Sequence, residues 1–392
     1  MISIVEFQSS REVFFNTYFL HLCKMKWKSI ILFFSLLISV ACGSNTTYKK
    51  TISKEGKIIE FAEHFELIQD SGFVRLHILD AENKSIKFKA ILAKKAPTSL
   101  PKEYVFIQTP VKRMIALSST HIGMLSKLEG INSVVGVSNK KYIDNTELLE
   151  RTKSGKAIEL GDEGMIPMES IVRSRAELIV FSDFGNPFPH ATQLTKLGFT
   201  ILPNVDWREE QPLGKAEWIK LYGYLIGKEK ESTEIFNSIK EKYLELKQEM
   251  KSVSKRPSVI SGNLIGDFWY APNGKSYNAQ LISDAGGEYV YAKTEGTGSI
   301  MRSMEQILLE NGSTRFWINP GFKSKKEISA YSSKLKLVPA FQHNQVYCYS
   351  ARMNYFWEMS AVEPHLVLED LILIFHPDKA KKKTFNFYSR IN

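Results

Sequence analysis

The chain offers few side chains arranged for bond-making chemistry. Its tightest cluster is Ser118, Ser119, Thr120 and His121, which together with an aspartate such as Asp183 supplies the residue types of a serine hydrolase. A nucleophilic serine sits on a sharp, glycine-flanked turn, and neighbours this close in sequence do not orient a triad. Asp284, Gly286 and Gly287 resemble a phosphate-binding loop only faintly, because the G-x-x-x-x-G-K pattern is missing. The eight histidines are isolated, with no His-x-His pair, which disfavours a site for free zinc or manganese. Cys23, Cys42 and Cys348 lack the spacing of a zinc site and are too few for a disulfide scaffold. The expectation is a protein that is not an enzyme, with no cofactor and no metal held by its own side chains. What the chain has in excess is aromatic surface, at 12% Phe, Trp and Tyr, and this hints at a face or cleft that uses it.

Those residues need elements to hold them. With 392 residues, 43% hydrophobic, 24% charged and a formal charge of +10, the chain is neither a disordered tail nor a multi-span membrane protein. At roughly 100–200 residues per domain it suggests two folding units. The lysines are scattered, with a notable run only at residues 381–383, so no nucleic-acid stripe is present. Met25, Lys26, Trp27 and Lys28 begin a basic start that leads into an apolar run at residues 30–40, then Ala41, Cys42, Gly43 and Ser44. This has the shape of a secretory signal, too short to span a bilayer comfortably. Residues 1–41 are therefore assigned to the signal segment, with residues 1–24 as a misassigned extension before a better start at Met25.

Residues 42–110 alternate short β-rich runs, such as 73–78 and 86–93, with polar turns, and predict an N-terminal antiparallel β segment. From residue 111 the pattern changes. Residues 114–117 read as a short apolar strand, Ile122, Leu125 and Leu128 follow at helical spacing, and residues 134–137 form another strand. Strands at 178–181 and 200–203 flank a further helix. Repeated strand–helix–strand order predicts a parallel sheet covered by helices on both faces, in an N-terminal α/β lobe over 111–228. Residues 229–253 contain no Gly or Pro and place Ile235, Ile239, Leu246 and Met250 on one stripe. That helix, roughly 37 Å long, exceeds a crossover and is assigned as a linking helix over 229–254. The β–α pattern restarts in a C-terminal α/β lobe over 255–392, with strands at 258–260, 315–318 and 345–349 and helices at 279–285, 328–335 and 362–375. Cys348 falls in a predicted strand, as a small buried hydrophobe.

Three runs carry a family resemblance: VKRMIALSSTHIGMLSKLEGINSVVGVSN from Val111, MESIVRSRAELIVFSDF from Met168 and WYAPNGKSYNAQLISDAGGEYVYA from Trp269. In order and spacing, from about Lys112 to Pro377, they resemble bacterial periplasmic binding proteins for iron–siderophore complexes and cobalamin. The ending NYFWEMSAVEPHLVLEDLILIFHPD is similar to the variant found in lipoproteins of the Bacteroidetes type. The run ending at Cys42 resembles a lipobox, with Ser39 where leucine is usual, and implies lipidation of Cys42. The resemblance implies an α/β fold of two Rossmann-like lobes with parallel-sheet cores, joined by one long rigid helix. It also implies the substrate-binding component of an ABC importer, working as a monomer with a permease and its ATPase. Such a protein is lipid-anchored to a membrane and faces the periplasm, the outer membrane being one option. Its ligand is a chelate that carries its own metal, a ferric siderophore first, with cobalamin or haem as alternatives.

In this family one glutamate on each lobe contacts the permease, and the matching positions are Glu169 and Glu305. As bare sequence features both are also helix-start charges that suit the helix dipole. The ligand is expected where loops leave the carboxyl ends of the strands. In the first lobe this selects Ser118, Ser119, Thr120 and His121, then Ser182, Asp183 and Phe184, then Trp207 and Arg208. In the second it selects Phe268, Trp269, Tyr270, Tyr277, Asn319, Arg352, Asn354, Tyr355, Phe356 and Trp357. Aromatic planes suit a flat chelate or corrin, and Arg208, Arg302 or Arg352 could pair with its negative groups. For haem, Tyr277 and His343 are the candidate axial ligands.

Overall fold

The computed structural model describes residues 56–80, 82–162 and 165–392. The signal segment and Cys42 lie outside the described residues. The N-terminal sheet contains β1 (Phe65–Asp70), β2 (Phe73–Leu79), β3 (Ile86–Ala93) and β4 (Val105–Gln108) in that order. The expected antiparallel segment holds for β1 to β3. It fails at β4, which runs parallel to β3 because residues 94–104 carry the chain back to the start of the sheet.

The first lobe is built on β5 (Met114–Ala116), β6 (Val134–Val137), β7 (Ile158–Glu159), β8 (Leu178–Ser182) and β9 (Thr200–Asn204). Their spatial order is β7-β6-β5-β8-β9 and every pair is parallel. Both faces are covered, so β5 and β6 are buried throughout and read as unbroken apolar runs.

The second lobe has β10 (Ser258–Ser261), β11 (Asn263–Ile265), β12 (Phe268–Pro272), β13 (Glu288–Tyr289), β14 (Ser299–Ser303), β15 (Phe316–Ile318), β16 (Val346–Cys348) and β17 (Ser389–Arg390). Its main sheet, β13-β10-β15-β16-β17, is parallel except for the antiparallel edge strand β17. A separate antiparallel sheet, β11-β12-β14, was not expected from the sequence. Cys348 is buried in β16, as expected. In place of one helix at 328–335 the chain forms a helix at Lys325–Tyr331 and a 3-10 turn at Ser333–Leu337. The strand order of each lobe reverses beside its first strand, at β5/β8 and at β10/β15, and these are the points where open α/β sheets leave a crevice.

The linking helix is continuous over Glu229–Met250, about three residues shorter than the apolar pattern suggested. Its buried stripe is Ser232, Phe236, Ile239, Tyr243 and Met250, with Ile235 and Leu246 only partly covered. Near its start, Ser232 packs against Gly223 so closely that a Cβ there would lie 2.2 Å from the Ser232 Oγ. Further along, Tyr243 donates to Asp284 (2.7 Å) and Lys247 pairs with the same carboxylate (3.1 Å), fixing the second lobe.

Two buried carboxylates tie the N-terminal segment to the first lobe. Glu217 accepts from the backbone N–H groups of Glu60 (2.9 Å), Phe61 (2.6 Å) and Ala62 (2.9 Å), and from the Lys220 ammonium (2.6 Å). Glu209 accepts from Glu63 (3.0 Å), His64 (3.1 Å) and the Trp218 indole (3.0 Å), and burial pushes its pKa up to about 7. An irregular strap has no ladder partners, so these oxygens satisfy donors that would otherwise be orphaned. Replacing Glu217 by alanine strands three amides and leaves the buried Lys220 ammonium with only the Ile58 carbonyl (3.1 Å). Urea unfolding of Glu217→Ala should show a loss of about 3–5 kcal/mol, and a loss under about 1 kcal/mol would contradict this role.

Candidate functional site

The carboxyl ends of both parallel sheets face one another across a direct contact. The helix Ser119–Lys127, which follows β5, packs on the helix Met353–Met359, which follows β16. Gly123 permits the approach, since a Cβ on it would lie 1.7 Å from the Glu358 carbonyl oxygen. The lobes are thus joined by more than the linking helix.

On the first lobe, Ser118 caps its helix by accepting from the Thr120 N–H (3.3 Å), and its hydroxyl lies 3.1 Å from that of Thr120. Ser119 donates to the Tyr142 carbonyl (3.3 Å). These hydroxyls are half-buried at the rim. His121, expected there too, turns inward because it occupies the buried face of its helix. It is fully buried beside Tyr222, and neither ring nitrogen has a hydrogen-bond partner. Burial lowers its pKa to about 4 against the opposing pull of the Asp206 carboxylate, so the ring is neutral at physiological pH. Among the described residues no serine lies within hydrogen-bond reach of it, and the Ser118, Ser119, His121 and Asp183 constellation is not assembled.

Asp183 is also corrected. Its carboxylate pairs with Lys87 of the N-terminal sheet and accepts from the Gly185 N–H (2.8 Å), while its carbonyl accepts from the Trp207 indole (3.2 Å). It shapes the loop that presents its neighbour. Phe184 is 62% exposed and lies 5.0 Å, ring to ring, from half-buried Trp207. The Arg208 guanidinium lies over the Trp207 ring at 4.2 Å, and its buried Nε has no hydrogen-bond partner among the described residues. Phe184, Trp207 and Arg208 therefore form a rim stack of two aromatic planes and a cation.

On the second lobe, strict alternation along β12 separates what sequence reasoning had grouped. Phe268 and Tyr270 point outward, while Trp269 is fully buried against Trp317 (5.0 Å) and donates to the Ser261 carbonyl (3.2 Å). Trp269 belongs to the core. Ile265, paired with Phe268, and Met301, paired with Tyr270, are exposed on the same outer face and were missed by the sequence reading. Period-two alternation over residues 268–272 was the signal for it. Arg302, paired with Trp269 on the inner face, lies over Tyr291 at 5.6 Å and beside Glu310 (3.6 Å), so its charge is already engaged within the second lobe.

Arg352 lies over the Tyr355 ring at 4.0 Å and donates to the Asn386 carbonyl (3.2 Å), at the carboxyl end of β16. Trp357 is exposed, whereas Phe356 is buried and stacked on Tyr349 at 3.7 Å. Asn319, with a left-handed backbone (φ 60°) after β15, has a buried Oδ1 without a partner. Tyr277 is engaged elsewhere: its hydroxyl donates to the Ser360 carbonyl (2.9 Å) and burial raises its pKa. His343 lines a surface depression of about 430 Å³ with Arg315 and Gln345, at the amino ends of the strands. Neither is placed as a haem ligand.

The two expected docking glutamates are exposed, each in the first turn of a short helix. Glu305 lies within the Ser303–Gln306 capping box and pairs with Lys334 (2.8 Å); that ion pair first, then its own backbone N–H and the Ser303 hydroxyl, hold its pKa down to about 2.

A family model for periplasmic binding protein matches residues 114–353, more than half of the chain. The chain belongs to the periplasmic binding protein family. Among curated relatives of this family member, an uncharacterized lipoprotein of Methanocaldococcus jannaschii is 23% identical over 313 residues, covering 76% of this chain and 73% of the relative. A periplasmic heme binding protein of Pseudomonas aeruginosa has a similar fold, with TM-score 0.57 and 13% identity over 72% of this chain and 98% of that one. An ABC-type Fe3+-hydroxamate transport system protein of Saccharomonospora viridis also aligns, with TM-score 0.52 and 19% identity over 68% and 94%. The two-lobed, parallel-sheet architecture of this periplasmic binding protein is the one these structures share.

The buried imidazole sets a pH dependence. With a folded pKa of about 4 and an ordinary value of 6.5, His121 binds protons better in the unfolded chain. Its contribution is intact above pH 6.5 and is lost as pH falls toward 4. In urea titrations at pH 7 and pH 4.5, His121→Leu should lose about 2–3 kcal/mol less than wild type on acidification. Equal losses would show that the ring does not stay neutral in the fold.

Proposed function

We propose that this periplasmic binding protein is the solute-binding component of an ABC importer. It holds a metal chelate, a ferric siderophore first, between its lobes and delivers it to a permease and ATPase. The observation that carries this reading is the rim stack of Phe184, Trp207 and Arg208. Two aromatic planes accept the apolar faces of a chelate, and the half-buried Arg208 guanidinium held over one of them meets its negative groups. Ser119, Thr120, Tyr270, Arg352 and Tyr355 complete the site from both lobes. These side chains recognise the outside of a chelate, and the metal enters within it.

Cobalamin or haem is the second reading, favoured by the flat outer face of Phe268, Tyr270 and Met301, which suits a large ring. In this reading such a ring is held by planes, without Tyr277 or His343 as an axial bond. Lipidation of Cys42 would tether the protein in the periplasm as a monomer of the Bacteroidetes lipoprotein type, at an inner or outer membrane. Glu169 and Glu305 would meet cationic side chains of the permease, one from each lobe.

Purified protein titrated with haemin, a ferric hydroxamate and cobalamin should change the absorption spectrum of one class and quench tryptophan emission. Trp207→Phe should remove most of that quench, while Trp269→Phe, a core change, should leave it in place. Loss in neither variant would remove the rim stack from the site. In cells, Glu169→Lys with Glu305→Lys should abolish uptake and leave ligand affinity intact; unchanged uptake would overturn the docking assignment.

A further inference from the structure

The two lobes touch unequally along their facing rims. On the first lobe, β6 is followed by a rim loop over residues 138–145. Asn354 donates from its Nδ2 to the carbonyls of Lys141 (2.9 Å) and Ile143 (3.4 Å) in that loop. One helical turn further, the Glu358 carboxylate accepts from the N–H groups of Asp144 (2.5 Å) and Asn145 (3.2 Å). The i,i+4 spacing puts Asn354 and Glu358 on one face, so the loop's carbonyls and amides are gripped in sequence by a single helix. Glu358 is 2% exposed, and Gly123 abuts its backbone. Beyond that point Lys127 at the helix end pairs with Glu363 (2.6 Å).

The other side of the rim is different. Among the described residues, no hydrogen bond or ion pair joins the loops that carry Phe184, Trp207 and Arg208 to the hairpin and strand that carry Phe268, Tyr270 and Met301. Because β8 and β9 lie at the opposite end of the sheet from β6 and β7, the gripped and ungripped sides are separated by the width of the lobe.

We propose that Asn354 and Glu358 form a clamp that welds the β6 side of the cleft shut, so that solute enters and leaves only past the ungripped β8/β9 side. Asn354 and Glu358 are positioning residues: they fix the loop that accepts the Ser119 hydroxyl without being needed as ligand contacts. The route for solute rests on the cleft being the solute site, whereas the clamp itself does not.

The test uses the mature chain with Cys42→Ser and spin labels at Lys196→Cys and Lys326→Cys, exposed positions on the first and second lobes. Without ligand, electron–electron double resonance should give one narrow distance distribution. Asn354→Ala with Glu358→Ala should broaden or lengthen it, and Gly123→Ala should lengthen it by wedging a methyl between the helices. Glu358→Gln, which keeps an accepting oxygen, should restore the narrow distribution in the Asn354 background. If Glu358→Ala fails to fold, amide exchange at Asp144 and Asn145 in Asn354→Ala replaces it and should rise at least tenfold. Unchanged distances in the double and wedge variants, or unchanged exchange, would overturn the clamp. For the route, a bulky label at Asp267→Cys, at the tip of the ungripped hairpin, should slow association of a ferric hydroxamate at least tenfold. The same label at Lys140→Cys should not. Equal slowing at both positions, with distances behaving as stated, would overturn the route alone. Absence of any binding in the unlabelled chain would instead strike the solute reading.

Discussion

The contact on which the rest of the molecule depends is the approach of the helix Ser119–Lys127 to the helix Met353–Met359 at Gly123. There is no room for a Cβ at that crossing, so one absent methyl sets the separation of the two lobes. The rim between the two helices inherits that separation: the position of the hydroxyl-bearing helix start and the loop at residues 138–145. The linking helix Glu229–Met250 holds the lobes from behind, and the Gly123 crossing holds them from within. The helix Pro212–Glu217 of the first lobe also packs on the second, with Lys215 over the Tyr277 ring at 5.2 Å, and a two-lobed protein held at these several places has little freedom to close around a solute as a hinge would. Its selectivity must come from a preshaped gap and from the planes and charges that line it.

A second theme is the use of buried carboxylates as staples for backbone that has no ladder partner. Glu217 and Glu209 gather the amides of residues 60–64, Glu358 those of Asp144 and Asn145, and Asp370 those of Asn386, Phe387 and Tyr388. Burial raises the pKa of Glu209 and Glu358 to about 7 and lifts that of Asp370, and the donated N–H groups oppose the shift in each case. A charge-assisted hydrogen bond is worth about 1.5–3 kcal/mol, so several on one carboxylate offset much of its desolvation. Four carboxylates thereby fasten three irregular segments onto two regular lobes, and one of the four fastenings runs between the lobes.

The lobes themselves were legible in the sequence. Short apolar runs such as residues 114–117 and 178–181, spaced by amphipathic stretches, announce a parallel sheet, and the stretch 229–253 without Gly or Pro announces the linking helix. That Phe184, Trp207 and Arg208 lie on loops at the strand ends was legible as well, since they follow strands closely; that they stack on one another was not. What was hidden depended on which way a side chain turns. His121 begins a helix at the rim, but it occupies the face that packs inward. Trp269 lies between two outward residues on a strand, and period-two alternation sends it to the core. Glu358 and Asn354 were hidden for another reason: their partners are backbone groups more than 200 residues away, and hydrogen bonds to backbone leave no mark in residue types.

The central claim is that one solute is held by both lobes at once. Titration calorimetry with whichever chelate changes the absorption spectrum tests it most directly, on wild type, on Trp207→Ala in the first lobe and on Tyr270→Ala in the second. The account predicts one solute per chain and at least tenfold weaker binding in each variant. Binding that weakens only with the substitution in one lobe, or with neither, would place the solute outside the gap and contradict it.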